Sequence, residues 1–320
     1  MNSNSNRIPE LESLRGIAAL CVVYFHYTYF FRTKMNYDFS PSLDFKFGHH
    51  GVELFFMISG FVIFMSLDRI NSVKEFLHKR FVRLYPTYWI CLLITLFVLL
   101  FNNTNEFNFT VKEKALNVLM FQGLFYIKNV DGSYWSLVPE LLFYVSMVVL
   151  WKFKLSKKIV LVSFVWVILM YLALLRPSVI DILLNLKFGV FFIIGIMFNL
   201  LFKNKKNSYP HLIILLALIS VIFVRESIEV FLFTALFVLL FYLLIYQKLN
   251  FLNNSILIFF GKISYPLYLL HQTIGFILIY NFIAFGLPHF FSILLTISVN
   301  IGLSYLVYEY LEKPIIKKLR

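Results

Sequence analysis

Three ionisable side chains, His26, Glu140 and His271, stand inside long apolar runs of this chain. Charge in such surroundings is costly and marks functional candidates. An imidazole beside a carboxylate is the arrangement of a general base for a hydroxyl: the carboxylate fixes the ring tautomer and raises its basicity. His26 and Glu140 come to similar depth from opposite ends of their runs, so each is the best-placed partner of the other. Alternatively, they form a structural pair that holds two helices together. Arg15 precedes His26 by about 16 Å of helix on nearly the same face, either as part of the site or as an interfacial side chain with its head in water. Arg80 and Arg83 are three residues apart and share a helical face. Guanidinium forks bind phosphate, so this pair suits an anionic cytosolic donor such as a nucleotide-bearing thioester, or else lipid phosphate. The sequence names no partner for His271. His49, His50 and His289 read as solvated loop residues. Tyr85, Trp135, Tyr144 and Tyr265 are candidate pocket-lining groups. Cys21 and Cys91 lie in apolar stretches as core thiols, and no metal site is expected.

The elements that position these groups must be membrane helices. Of the 320 residues 60% are hydrophobic and only 14% charged, against about 25% charged in a soluble domain. Charge-poor blocks recur near the roughly 20 residues that cross a bilayer as helix. Long charge-poor runs also argue against a β-barrel, whose strands alternate. The expected fold is all-α, a polytopic transmembrane bundle of about ten spans at 12–31, 51–67, 84–101, 133–151, 159–175, 182–202, 211–224, 230–247, 263–283 and 290–310. Segment 115–127 is too short to cross and reads as interfacial or re-entrant. The first run ends in Arg32-Thr33-Lys34 with no small-residue cleavage site, so it is expected to remain as an anchor. A single integral-membrane domain over 1–320 is expected, with no fused soluble domain.

The net charge of +13 is explained by orientation rather than by nucleic acid, which is not an expected partner. With both termini cytoplasmic, 20 of the 29 Lys and Arg residues fall inside, Arg7, Arg69, Lys203 and Arg320 among them, and 9 outside, including Arg176 and Arg225. That asymmetry is what sets membrane topology.

Six motifs in chain order then carry a resemblance. They are Ile8-Pro9-Glu10-Leu11-Glu12-Ser13-Leu14-Arg15-Gly16 running on to Phe25-His26; Gly51-Val52-Glu53-Leu54-Phe55-Phe56 through Ser59-Gly60-Phe61; and Arg80-Phe81-Val82-Arg83-Leu84-Tyr85-Pro86. The later three are Trp135-Ser136-Leu137-Val138-Pro139-Glu140 with Phe143-Tyr144, Gly261 through His271, and Tyr308-Glu309-Tyr310-Leu311-Glu312-Lys313-Pro314. Together they resemble the membrane-bound acyltransferase family 3, bacterial O-acyltransferases of surface polysaccharides. Leu141 and Leu142 depart from its pattern, leaving Glu140 as the sole carboxylate at that point.

The resemblance implies transfer of an acetyl or other small acyl group from cytosolic acyl-CoA, most often acetyl-CoA, to a hydroxyl of a surface polysaccharide or glycolipid. It also implies a multi-pass protein of the bacterial cytoplasmic (inner) membrane. On this reading His26, Glu140 and Arg15 are catalytic, and Arg80 and Arg83 bind the donor. The competing class is a transporter, flippase or export partner for a surface glycan. Against transport, the chain shows no two-fold hydropathy repeat and no paired broken helices.

Overall fold

The computed structural model describes residues 8–37, 41–102, 105–175 and 179–319. Arg7, Arg176 and Arg320, counted above for orientation, lie outside the described residues. Ten long helices follow in order: α1 Pro9–Lys34, α2 Lys46–Leu67, α3 Val73–Phe101, α4 Gly132–Lys152, α5 Leu155–Leu174, α6 Asp181–Lys203, α7 Tyr209–Arg225, α8 Ile228–Ile245, α9 Ser255–Ala284 and α10 His289–Leu319. Among the described residues there is no strand, and nine of these helices are long and apolar enough to cross a membrane. The exception is α7, whose 17 residues rise only about 26 Å.

Two starts differ most from the sequence expectation. Helix α3 begins at Val73 rather than at 84, because Ser72 and Glu75 cap it. The Ser72 hydroxyl accepts from Glu75 N at 3.1 Å, and the Glu75 carboxylate accepts from Asn71 N at 2.8 Å, close to a capping box. Arg80 and Arg83 therefore lie well inside a helix that runs on through Pro86. Helix α9 begins at Ser255 rather than at 263, where the Asn254 side chain accepts from Ile256 N at 2.8 Å.

The chain divides into two compact units, one formed by residues 1–51, 78–138 and 254–320, the other by 52–77 and 139–253. In the first, α1 packs along α9. A Cβ on Gly16 would stand 2.7 Å from Gly261 N, and one on Gly261 would overlap Glu12 O, so the two backbones meet only because neither residue has a side chain. Helix α10 packs on α9, and its Ser292, Thr296, Asn300 and Ser304 are all buried and four residues apart. Each bonds back to a carbonyl of its own helix or its N-cap, at 2.6–3.3 Å. Small polar side chains whose donors are met in this way permit close packing where lipid supplies no hydrophobic drive.

Replacing Gly261 with valine is expected to destabilise the protein by about 1–3 kcal/mol through overpacking, read as a lower unfolding temperature in detergent. Alanine at Gly302, which has nothing within 4 Å of its Cβ position, is the control and should leave it unchanged.

Segment 111–130 is irregular and does not cross. The helix Val111–Leu116 starts with a full capping box of Thr110 and Glu113. The buried Asn117 side chain donates to Glu113 O and Lys128 O and accepts from Val130 N and Gln122. Tyr88, Trp89 and Tyr85 of α3 donate to the carbonyls of Asn117, Val118 and Leu119. Tyr85 thus serves as a framework residue.

In the second unit, stacked rings join helices: Phe143 with Phe192 at 4.2 Å, and Phe198 with Phe241 at 5.1 Å. Helix α5 turns Leu161, Phe164, Val165, Ile168 and Leu172 outward at helical spacing, as suits a lipid-facing stripe.

Candidate active site

His26 opens a π-helical turn, His26–Phe30, between the two α-helical parts of α1. Such turns insert a residue into the helix and recur at functional sites. The carbonyl of Val22 lies 2.8 Å from His26 Nδ1, and a carbonyl only accepts, so Nδ1 carries the proton. His271, fully buried on α9, has its own Nδ1 2.7 Å from Tyr268 O. That nitrogen is also protonated, and His271 Nε2 is left with a lone pair. It faces His26 Nδ1 at 3.2 Å, where it takes a share of the same proton. Both tautomers follow from hydrogen-bond partners. The consequence is that His26 Nε2 bears a lone pair, in a half-buried ring flanked by Phe25 and Phe30.

Much of the first unit serves to hold this pair. Tyr27 donates to His271 O at 2.7 Å, and its ring packs on Gly275. Asp131, fully buried and not singled out from sequence, accepts from Thr273 N at 2.7 Å and from Ser133 N at 2.9 Å. Ser133 Oγ reaches Tyr268 O at 3.0 Å, and Ser136 bonds the Tyr268 hydroxyl at 2.8 Å. Residues 130–136 therefore clamp α9 on both sides of His271. The signal for Asp131 was Asp-Gly-Ser just before an apolar run, the N-cap pattern of α4.

Arg15 is half-buried on α1 and makes no hydrogen bond or ion pair among the described residues. It stays about 16 Å of helix from His26. Arg83 pairs with Glu312, whose side chain is 1% exposed, and stands over the Tyr265 ring at 5.6 Å. Glu312 lies in a second π-helical turn, Val307–Glu312. Tyr265 itself donates to Leu84 O. Arg80, half-buried, lies one turn before Arg83.

His50 corrects the sequence reading. It is 1% exposed, because the turn Lys46–His50 packs Gly48 against Cys21 O of α1. His49 and His289 are half-buried. Cys91 is a buried free thiol and Cys21 a half-buried one.

In the second unit, Glu140 Oε1 accepts from Ser59 at 3.1 Å and from the Tyr144 hydroxyl at 2.5 Å. Its Oε2 makes no hydrogen bond among the described residues and is not enclosed. Trp135 is 42% exposed. Sequence reasoning expected an orienting carboxylate at His26; within the first unit that position, at Nδ1, is filled by His271.

Comparison with known proteins decides the family. A family description, "Acyltransferase domain", matches residues 8–309, across both units. The chain belongs to acyltransferase family 3. Over 85 residues it is 32% identical to a protein of Acidianus two-tailed virus named "Putative acetyltransferase ORF330", covering 27% of this chain. The match spans about a quarter, 24%, of that relative's length. No solved structure matches. The chain is thus a member of this family built of helices long and apolar enough to cross a membrane.

Proposed function

We propose that this family 3 acyltransferase moves an acetyl or other small acyl group from cytosolic acyl-CoA to a hydroxyl of a surface polysaccharide or glycolipid. Its proposed place is the bacterial cytoplasmic membrane, with both termini inside, on the distribution of basic residues. The observation that carries the chemistry is the unprotonated Nε2 of His26, fixed by the bonds of Nδ1 to Val22 and His271.

In the proposed step the acceptor hydroxyl attacks the thioester carbonyl while His26 Nε2 takes its proton. The C–O bond forms, the C–S bond breaks, and the imidazolium returns the proton to the departing thiolate. A transient acyl on the same nitrogen is the other route open to this group. His271 is a positioning residue: it shares the Nδ1 proton and does not touch substrate. Glu140 is proposed as the second catalytic group, with Ser59 and Tyr144 holding its Oε1 and its Oε2 left to act. Arg15 is proposed to stabilise charge on the donor along the face of α1. Arg80 and Arg83 are proposed to hold the donor phosphates, which must compete with Glu312 for Arg83.

The test is acyl transfer by purified protein in lipid nanodiscs from radiolabelled acetyl-CoA to a panel of surface glycans. The expected result is alkali-labile label on the glycan. Glycan flux across proteoliposomes with no label transferred would overturn the proposal in favour of transport.

A further inference from the structure

One polar group of the second unit is not used by the site described above. Arg225, the last residue of α7, and Glu53, in the first turn of the α-helical part of α2, face each other with side chains only 16% and 7% exposed. Their closest approach is 3.6 Å, from Nη2 to Oε1, which is too long for a hydrogen bond. The guanidinium is seated on aromatic faces, 4.9 Å from the Phe188 ring centroid and 5.8 Å from that of Phe191. Its Nη1 is enclosed and has no hydrogen-bond partner among the described residues. A purely structural ion pair would close to hydrogen-bond distance, since an unmet donor in the interior is costly. Arg225 and Glu53 do not close on each other in this way, and the guanidinium stays over the two rings.

We infer that Arg225 and Glu53 form a subsite for a neutral polyhydroxylated ring, a sugar unit of the acceptor. This inference rests on the acyltransferase reading and names where its acceptor is held. A donor and an acceptor separated by slightly more than one hydrogen bond match two neighbouring hydroxyls, one accepting from the guanidinium and the other donating to the carboxylate. The charges also select. Glu53 repels a free anion and Arg225 a free cation, although Lys187, 5.9 Å from the Phe188 ring centroid, adds positive charge at the rim.

Location agrees with this role. With the short α7 counted as a crossing, as in the ten expected spans, the basic-residue distribution puts the start of α2 and the end of α7 at the outer face, where a surface glycan arrives. Ser59, which donates to Glu140, follows Glu53 by six residues, about 9 Å deeper along α2. A ring held at the pair thus leaves the neighbouring part of the glycan to reach toward Glu140.

The test has two arms. In the first, the wild-type protein in nanodiscs, without any acyl donor, is treated with phenylglyoxal, and modified arginines are mapped by mass spectrometry. Saturating methyl glycosides are expected to slow modification of Arg225 and leave the exposed Arg69 unaffected. Equal rates with and without glycoside, or protection by inorganic phosphate in their place, would overturn the subsite.

In the second arm, Arg225→Gln and Glu53→Gln are expected to raise the KM for the glycan acceptor about tenfold or more at nearly constant kcat. A purely structural pair would instead lower the yield of folded protein and kcat with KM unmoved. Should the variants not fold, the first arm still decides. Protection without transfer in the wild type counts against the acyltransferase reading alone, and transfer without protection counts against the subsite alone.

Discussion

His26→Ala is expected to lower kcat for acyl transfer by about 10²–10⁴-fold, the range that a positioned general base supplies, while membrane insertion and unfolding temperature stay near wild type. The side chain is half-buried and packs chiefly through Phe25, Phe30 and His271, so its loss removes chemistry more than support. Normal transfer by this variant would end the proposal. The role of His271 is separable. His271→Phe keeps an aromatic filler but removes the lone pair that meets His26 Nδ1, and should lower kcat about tenfold or more with little change in KM. His271→Gln can present its amide oxygen near the place of Nε2 and should restore most of the rate. A merely structural histidine would show no such rescue. The wild-type rate should also fall on acidification, because protonation of His26 Nε2 removes the base, and His271→Phe should move that acid limb.

How far the sequence alone reaches depends on the kind of physics involved. Membrane helices are legible because the bilayer demands long apolar runs, and every expected span is a helix here. The starts of α3 and α9 were less legible because polar caps at Ser72 and Asn254 precede the apolar stretch. His26 stood out as an ionisable group in an apolar run. Its partner did not, since His271 is 245 positions away and the pairing depends on how α1 crosses α9. That crossing is set by Gly16 and Gly261, two residues with no local signal of their own. The same holds for Arg225 and Glu53, which the sequence alone presents as an outer-loop charge and as part of a motif. Only the packing of α2, α6 and α7 encloses them together.

Glu312→Ala is expected to cost about 3 kcal/mol of stability, because removing one partner of a buried ion pair strands the other. Arg83 sits well inside α3, and Glu312 is 1% exposed with its Oε2 lacking a hydrogen-bond partner among the described residues. The pair is thus bound on one side only. Replacing both residues, Arg83→Met with Glu312→Leu, should recover most of the loss, since apolar residues of similar size often replace buried ion pairs at little cost. A double-mutant cycle in detergent reads this directly. The double variant also decides whether Arg83 holds the donor. If it does, the stable double variant has a raised KM for acetyl-CoA. Glu312→Gln, which frees the guanidinium from a competing charge, then lowers that KM. If both KM values match wild type, Arg83 only joins α3 to α10, and the proposed phosphate contact falls to Arg80 one turn away. The two outcomes separate because a guanidinium neutralised by a buried carboxylate attracts phosphate weakly, so a donor-binding Arg83 must exchange Glu312 for its ligand.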